Sequence, residues 1–194
     1  PVTFATTCTL TVTVSDNRIF VGPEGVGVFA FAGALRLIVS GNYVEADTAF
    51  SGIHVQAQPL GPAQSNGTRI ERNTMKAVSL STGGPGQPRA AIRVRDGSDI
   101  VVVHNSITGP WFNGVAATNL SDAVVDANQV GGAVRYGLSM GLVSAVGLPV
   151  RHSTIRNNRF TQSGLAGVNA FRACHNGFIG NDLNGNPNDL GLIF

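Results

Sequence analysis

The sequence predicts an all-β solenoid, a right-handed parallel β-helix of about seven coils. Three observations carry that reading. First, an asparagine recurs in one frame at Asn17, Asn42, Asn73, Asn105, Asn128, Asn158 and Asn181, with an apolar residue three places before and two places after it each time. Second, a small residue followed by an apolar one recurs in step, at Val28, Ile53, Ile92, Val115, Leu138, Val168 and Leu192, with Phe4 where an earlier member would stand. Third, helix formers are scarce: one Lys and three Glu in 194 residues, against 25 Gly.

Each element of a coil follows from the pattern. Short segments with period-two alternation put one face inward and one outward. The apolar residues on either side of the Asn mark two such strands, and the small–apolar column marks a third. A single coil cannot bury its inner face, but stacked coils share one continuous core. At about 4.8 Å per coil, seven coils rise roughly 34 Å. The Asn is expected at the tight corner between the second and third strands, in the left-handed conformation that Asn tolerates. Its stacked copies are expected to hydrogen-bond as a ladder. A β-sandwich with Asn in ordinary turns would give no reason for the two columns to stay in phase.

Residues 1–194 read as one unit, with loop insertions near 58–67, 76–90 and 141–150. The chain begins and ends within first-strand segments and shows no polar cap. The expectation is an uncapped segment of a longer β-helix, with the rest of a parent chain, or copies stacked end to end, as partners. Cys8 falls in the first coil and Cys174 in the last, roughly 30 Å apart by the stacking rise, so they are expected to be two separate thiols. A hydrophobic fraction of 43% excludes bulk disorder. The longest uncharged run that could mimic a membrane span, Tyr136 to Val150, is too short and contains Gly137, Gly141, Gly147 and Pro149, so no membrane partner is expected.

The pattern φ-x-x-N-x-φ followed by G-[IV]-x-[VAM] resembles the right-handed parallel β-helix repeats of the pectin-lyase-like superfamily, from Phe4 to Phe194. That superfamily holds polysaccharide lyases, hydrolases and epimerases, and also phage tailspikes and adhesins. The resemblance implies an extracellular or cell-surface location, and a site on the outer face of the first-strand sheet.

Alternation sets the outward positions of that face: Phe29, His54, Gln56, Arg93, Arg95, Ala116, Thr118, Ser139, Asn169 and Ile193. His54 is expected to stack on Arg93, and Gln56 on Arg95. Basic residues concentrate along the chain here: Arg69, Arg72, Lys76, Arg89, Arg93 and Arg95 are six of the thirteen, with Glu71 the one acid among them. Such charge suits an acidic polysaccharide. Nucleic acid is not expected, because interleaved aromatics are missing. His54 and Arg93 are candidate catalytic residues: the Arg would neutralise a uronate carboxylate and the His would take the neighbouring proton. Gln56, Arg95, Arg89, Trp111, Thr118, Ser139 and Asn169 are candidate substrate binders. Trp111 is either a sugar-stacking platform or a plug in the core. None of the outward positions is Asp or Glu, which argues against a two-carboxylate hydrolase.

One further column, Asp99, Asp122, His152 and His175, stands six residues before successive ladder asparagines. It offers one ligand per level, so turn residues are expected there rather than a metal site, and no cofactor is expected. Three readings of function follow. The preferred one is a non-catalytic scaffold or carbohydrate-recognition segment of a larger extracellular protein. The second is a uronan lyase or C5-epimerase using His54 and Arg93. The third is a structural or phage-tailspike-like fibre element.

Overall fold

The computed structural model describes residues 2–4, 11–31, 36–47, 49–56, 66–79, 89–141, 149–171 and 173–193. Their strands form three sheets in which every pair is parallel and each strand pairs with its counterpart one coil away. The first sheet has eight strands: Val2–Phe4, Val26–Phe31, Ser51–Gln56, Ala90–Ser98, Asn113–Ser121, Tyr136–Met140, Ala166–Phe171 and Leu190–Ile193. The second has seven, running from Thr11–Ser15 to Gly177–Ile179, and the third six, from Arg18–Val21 to Arg159–Thr161. This is a parallel β-helix, with one core enclosed by the three sheets.

The core is built from the columns that the alternation picks out. Val28, Ile53, Ile92, Val115, Leu138 and Val168 are in register on the first sheet, and all are buried. Val39, Ile70, Val102, Val125 and Ile155 face them from the second sheet, and Val44, Met75, Ile107, Val130 and Phe160 from the third.

The asparagine ladder runs unbroken from Asn17 to Asn181. From Asn42 onward each Asn accepts, on its Oδ1, both the backbone N–H and the side-chain amide of the Asn one coil earlier, at 2.9–3.0 Å. The side-chain amide also reaches a carbonyl of the preceding coil, as Asn105 Nδ2 does to Ile70 O at 3.0 Å. The left-handed residue is not the ladder Asn, as the sequence suggested, but the one before it. Asp16, Gly41, Arg72, His104, Ala127, Asn157 and Gly180 have φ between 52° and 67°. That turn aims the next side chain down the stack, so Asn is placed there for its paired donor and acceptor rather than for its backbone tolerance.

The Asp99, Asp122, His152, His175 column has the same explanation one corner earlier. These four, with Gly67, have φ between 50° and 69°, and Asp and His are among the side chains that accept this conformation. At the ends of the first sheet, the register departs from expectation by two residues. Val2, not Phe4, pairs with Val28, and Leu190, not Leu192, pairs with Val168. Gly191 rather than Ile193 therefore lies beside Asn169. A slip of two preserves which side chains face inward, so alternation cannot detect it.

The insertions near 58–67, 76–90 and 141–150 lie largely outside the described residues, as does Cys8. Cys174 carries a free thiol. No helix among the described residues is long and apolar enough to cross a membrane.

Candidate functional site

The outer face of the first sheet is ordered by strand register. Phe29, His54, Arg93, Ala116, Ser139 and Asn169 form one row across successive coils. Phe31, Gln56, Arg95 and Thr118 form the next. The sequence-predicted pairs, His54 with Arg93 and Gln56 with Arg95, are thus brought side by side.

Burial departs from what a solvent-facing sheet implies. His54 is 5% exposed and Arg93 4%, and Thr118 and Asn169 are buried as well. Gln56, Arg95 and Ser139 are half-buried. The His54 ring packs between Phe29, at 5.1 Å, and Phe50, at 5.8 Å, and the Arg93 guanidinium lies 5.3 Å from the centre of the Phe50 ring. Phe50 stands just before the strand that carries His54, and no motif pointed to it. Its signal was only its place one turn ahead of the outward row.

Electrostatics follow from this burial. Desolvation, then the charges of Arg93 and Arg95, push the His54 imidazole down to about 3, against a smaller opposing hydrogen bond with Gln56. Desolvation and Arg95 lower the Arg93 guanidinium to about 10, opposed by Asp96. Asp96 sits beside Arg95, Oδ2 to Nε at 3.9 Å, and its Oδ1 accepts a 2.6 Å hydrogen bond from Asn119 Nδ2. His54 Nε2 and Arg95 Nε are buried and make no hydrogen bond with a described residue. At neutral pH the site is therefore a neutral imidazole beside two cations on the next strand. An imidazole with so low a pKa is a weak proton acceptor, poorly matched to abstracting a sugar C–H proton.

The concentration of basic residues in sequence does not become one patch in space. Arg69 lies on the second sheet and pairs with Glu71. Lys76 lies on the third sheet and Arg72 in the corner between the two. Arg89, expected to bind substrate, is buried and pairs with Glu24. Neighbours in one coil point to different sides of a solenoid, which leaves Arg93 and Arg95 on the candidate face. Trp111, also expected to bind substrate, is 1% exposed and belongs to the core, its ring edge 3.5 Å from where a Cβ on Gly52 would stand. It plugs the corner beneath the strand it precedes and offers no stacking surface.

The fold defines a parallel β-helix protein, and this face of its first sheet is cationic and partly enclosed. The family model described as periplasmic copper-binding protein (NosD) matches residues 10–194, and the chain belongs to that family. No curated protein matches it at a significant level. Among solved structures it is similar to the A-module of the mannuronan C-5 epimerase AlgE6 of Azotobacter vinelandii, at 14% identity and a TM-score of 0.48. That match covers 95% of this chain and 58% of the other, and it says nothing of activity.

The family description implies copper, and the described residues do not fit it. Among them, no three His, Cys, Asp or Glu side chains are grouped to hold a metal ion. The nearest approach is the exposed pair His152 and His175, whose rings stack at 5.4 Å and 21°. Lone pairs of two near-parallel rings point alongside each other rather than at a common centre. The thioethers of Met75 and Met140, which would suit Cu(I), are sealed in the core.

Proposed function

We propose that the chain is a non-catalytic β-helix scaffold acting outside the cytoplasm, and that it binds an acidic glycan on the outer face of its first sheet. The observation that carries this reading is the cluster of His54, Arg93 and Arg95 on adjacent coils. It holds two guanidiniums against one nearby carboxylate, Asp96. Guanidinium groups in a partly desolvated setting favour carboxylates, with which they form strong charge-assisted hydrogen bonds. The half-buried Gln56 and Ser139 extend the face with neutral hydrogen-bonding groups suited to hydroxyls, whereas Thr118 and Asn169 are buried beneath it. The periplasmic description of the family supports a place outside the cytoplasm. The weakness of His54 as a base, and the lack of a second carboxylate on the described face, favour recognition over turnover.

Calorimetry with polygalacturonate, alginate and a neutral glucan tests the reading, alongside absorbance of unsaturated uronate products. Acidic polymers are expected to bind and the neutral one to bind far more weakly. Arg95→Gln should weaken acidic binding about tenfold or more, the loss of a charged hydrogen bond of about 1.5–3 kcal/mol. No unsaturated product should form. Product formation that His54→Ala abolishes would replace this reading with that of a lyase.

A further inference from the structure

We propose that a second carbohydrate site, for a single uncharged pyranose, lies on the outer face of the third sheet between Phe20 and Val78. Both side chains are large, apolar and exposed, Phe20 at 65% and Val78 at 51%, and both line one cavity of about 210 Å³. Phe20 belongs to the strand Arg18–Val21, and Val78 follows the strand Thr74–Ala77 two coils away. An exposed apolar wall of this kind marks a contact surface when polar groups rim it.

The polar rim carries two carboxylates, with Lys76 in register beside one of them. Glu45 is in register beside Phe20 on the next coil, and Asp47 stands just past the end of that strand; both line the cavity. Each is held by a neighbour. Tyr43 Oη donates to Glu45 Oε2 at 2.7 Å, and Ser79 Oγ donates to Asp47 Oδ1. A carboxylate has about four acceptor sites, so each keeps capacity for further donors. The Arg18 guanidinium lies 5.0 Å from the Phe20 ring centre and 5.3 Å from that of Tyr43, which braces the phenyl ring from one side. Gly22 opens the remaining wall, where an added Cβ would meet nothing within 4 Å.

These groups match one chemistry. A pyranose has a face of C–H groups that packs on an aromatic ring, and hydroxyls that donate to carboxylates. The cavity lining itself carries the two carboxylates, and Lys76, in register beside Glu45, and Arg18 offset them from the flanks, so the wall gives a uronate no net attraction and the sugar is uncharged. The volume is below the range of about 300–1,000 Å³ typical of drug-sized sites, which suits a single ring. The site lies on a different sheet from Arg93 and Arg95, so it stands or falls independently of the acidic-glycan reading.

Saturation-transfer NMR with the methyl glycosides of glucose, galactose and mannose, and with galacturonate as the charged control, tests the proposal. At least one neutral glycoside should receive saturation at its ring C–H protons. Its affinity should fall about tenfold in Phe20→Ala, survive in Phe20→Trp, and fall in Glu45→Gln. Gly22→Leu should block the cavity while leaving the fold intact by circular dichroism, and Arg95→Gln should change nothing. The proposal is overturned if no neutral glycoside binds, if Phe20→Ala and Gly22→Leu bind as the native chain does, or if galacturonate binds equally well. It is also overturned if sedimentation shows the chain self-associating through this surface, with Phe20→Ala restoring the monomer.

Discussion

Replacing Asn105 by Ala isolates what one rung of the ladder contributes. Asn105 is 1% exposed. Its Oδ1 accepts from Asn73 N and Asn73 Nδ2, and its own Nδ2 donates to Ile70 O, Val103 O and Asn128 Oδ1. In the alanine variant several partners find alternatives. Asn73 Nδ2 keeps Val39 O and Glu71 O, Val103 O keeps Arg72 N, and Asn128 Oδ1 keeps Asn105 N. Ile70 O stays within the parallel ladder to the strand Val101–Val103, so Asn73 N is the group left without its partner. A buried polar group left unsatisfied costs about 1–3 kcal/mol, so the loss predicted for this one group is about 1–3 kcal/mol. Asn17→Ala is the control, because Asn17 is exposed and loses only donors to Ser15 O and Asn42 Oδ1; it should cost about 1 kcal/mol or less. Urea denaturation followed by circular dichroism measures both, with the m-value checked because solenoids can unfold in parts. Equal losses in the two variants, or a loss below about 1 kcal/mol for Asn105→Ala, would refute the account of the ladder as a chain of buried, obligatory bonds.

Other outcomes follow from the same geometry. Gly109 has a φ of +88° and a Cβ there would lie 2.2 Å from Ala77 O, whereas Gly185, at +80°, has nothing within 4 Å; thermal melts should show Gly109→Ala costing clearly more than the roughly 1–2 kcal/mol of backbone strain expected at Gly185→Ala. Trp111→Ala should lose about 3–5 kcal/mol of stability, as a large core truncation does, while any folded fraction retains glycan affinity. The His54 imidazole should show no NMR titration between pH 5 and 8, with Asn at this position assigning its signals. Its folded pKa of about 3 lies below the ordinary 6.5, so the unfolded chain binds the proton first as pH falls. The stability this group contributes is therefore complete above 6.5 and is lost between 6.5 and about 3, by up to about 1.4 kcal/mol per pH unit. A His54 titration near 6.5 would show that the ring is solvated and the site open.

By itself, the sequence determined the solenoid, its three-strand coil, the inward columns and the seven ladder positions. Those features repeat with the coil, and each repeat presents the same local requirement: an apolar residue facing in and an amide at the same corner. It also determined that His54 meets Arg93 and Gln56 meets Arg95, because register follows once the columns are aligned. The tertiary structure alone decided the rest. Alternation tells which side of a sheet a residue takes, but not whether that side is covered, so the burial of His54 between Phe29 and Phe50, and with it the low basicity of the imidazole, could not be read. A dense run of arginines in sequence spreads around three faces when the chain coils, so Arg69, Lys76 and Arg89 left the site they had been grouped with. The pairing of Phe20 with Val78 across two coils, and the withdrawal of Trp111 into the core, depend on volumes and distances between coils. A periodic pattern carries no record of those.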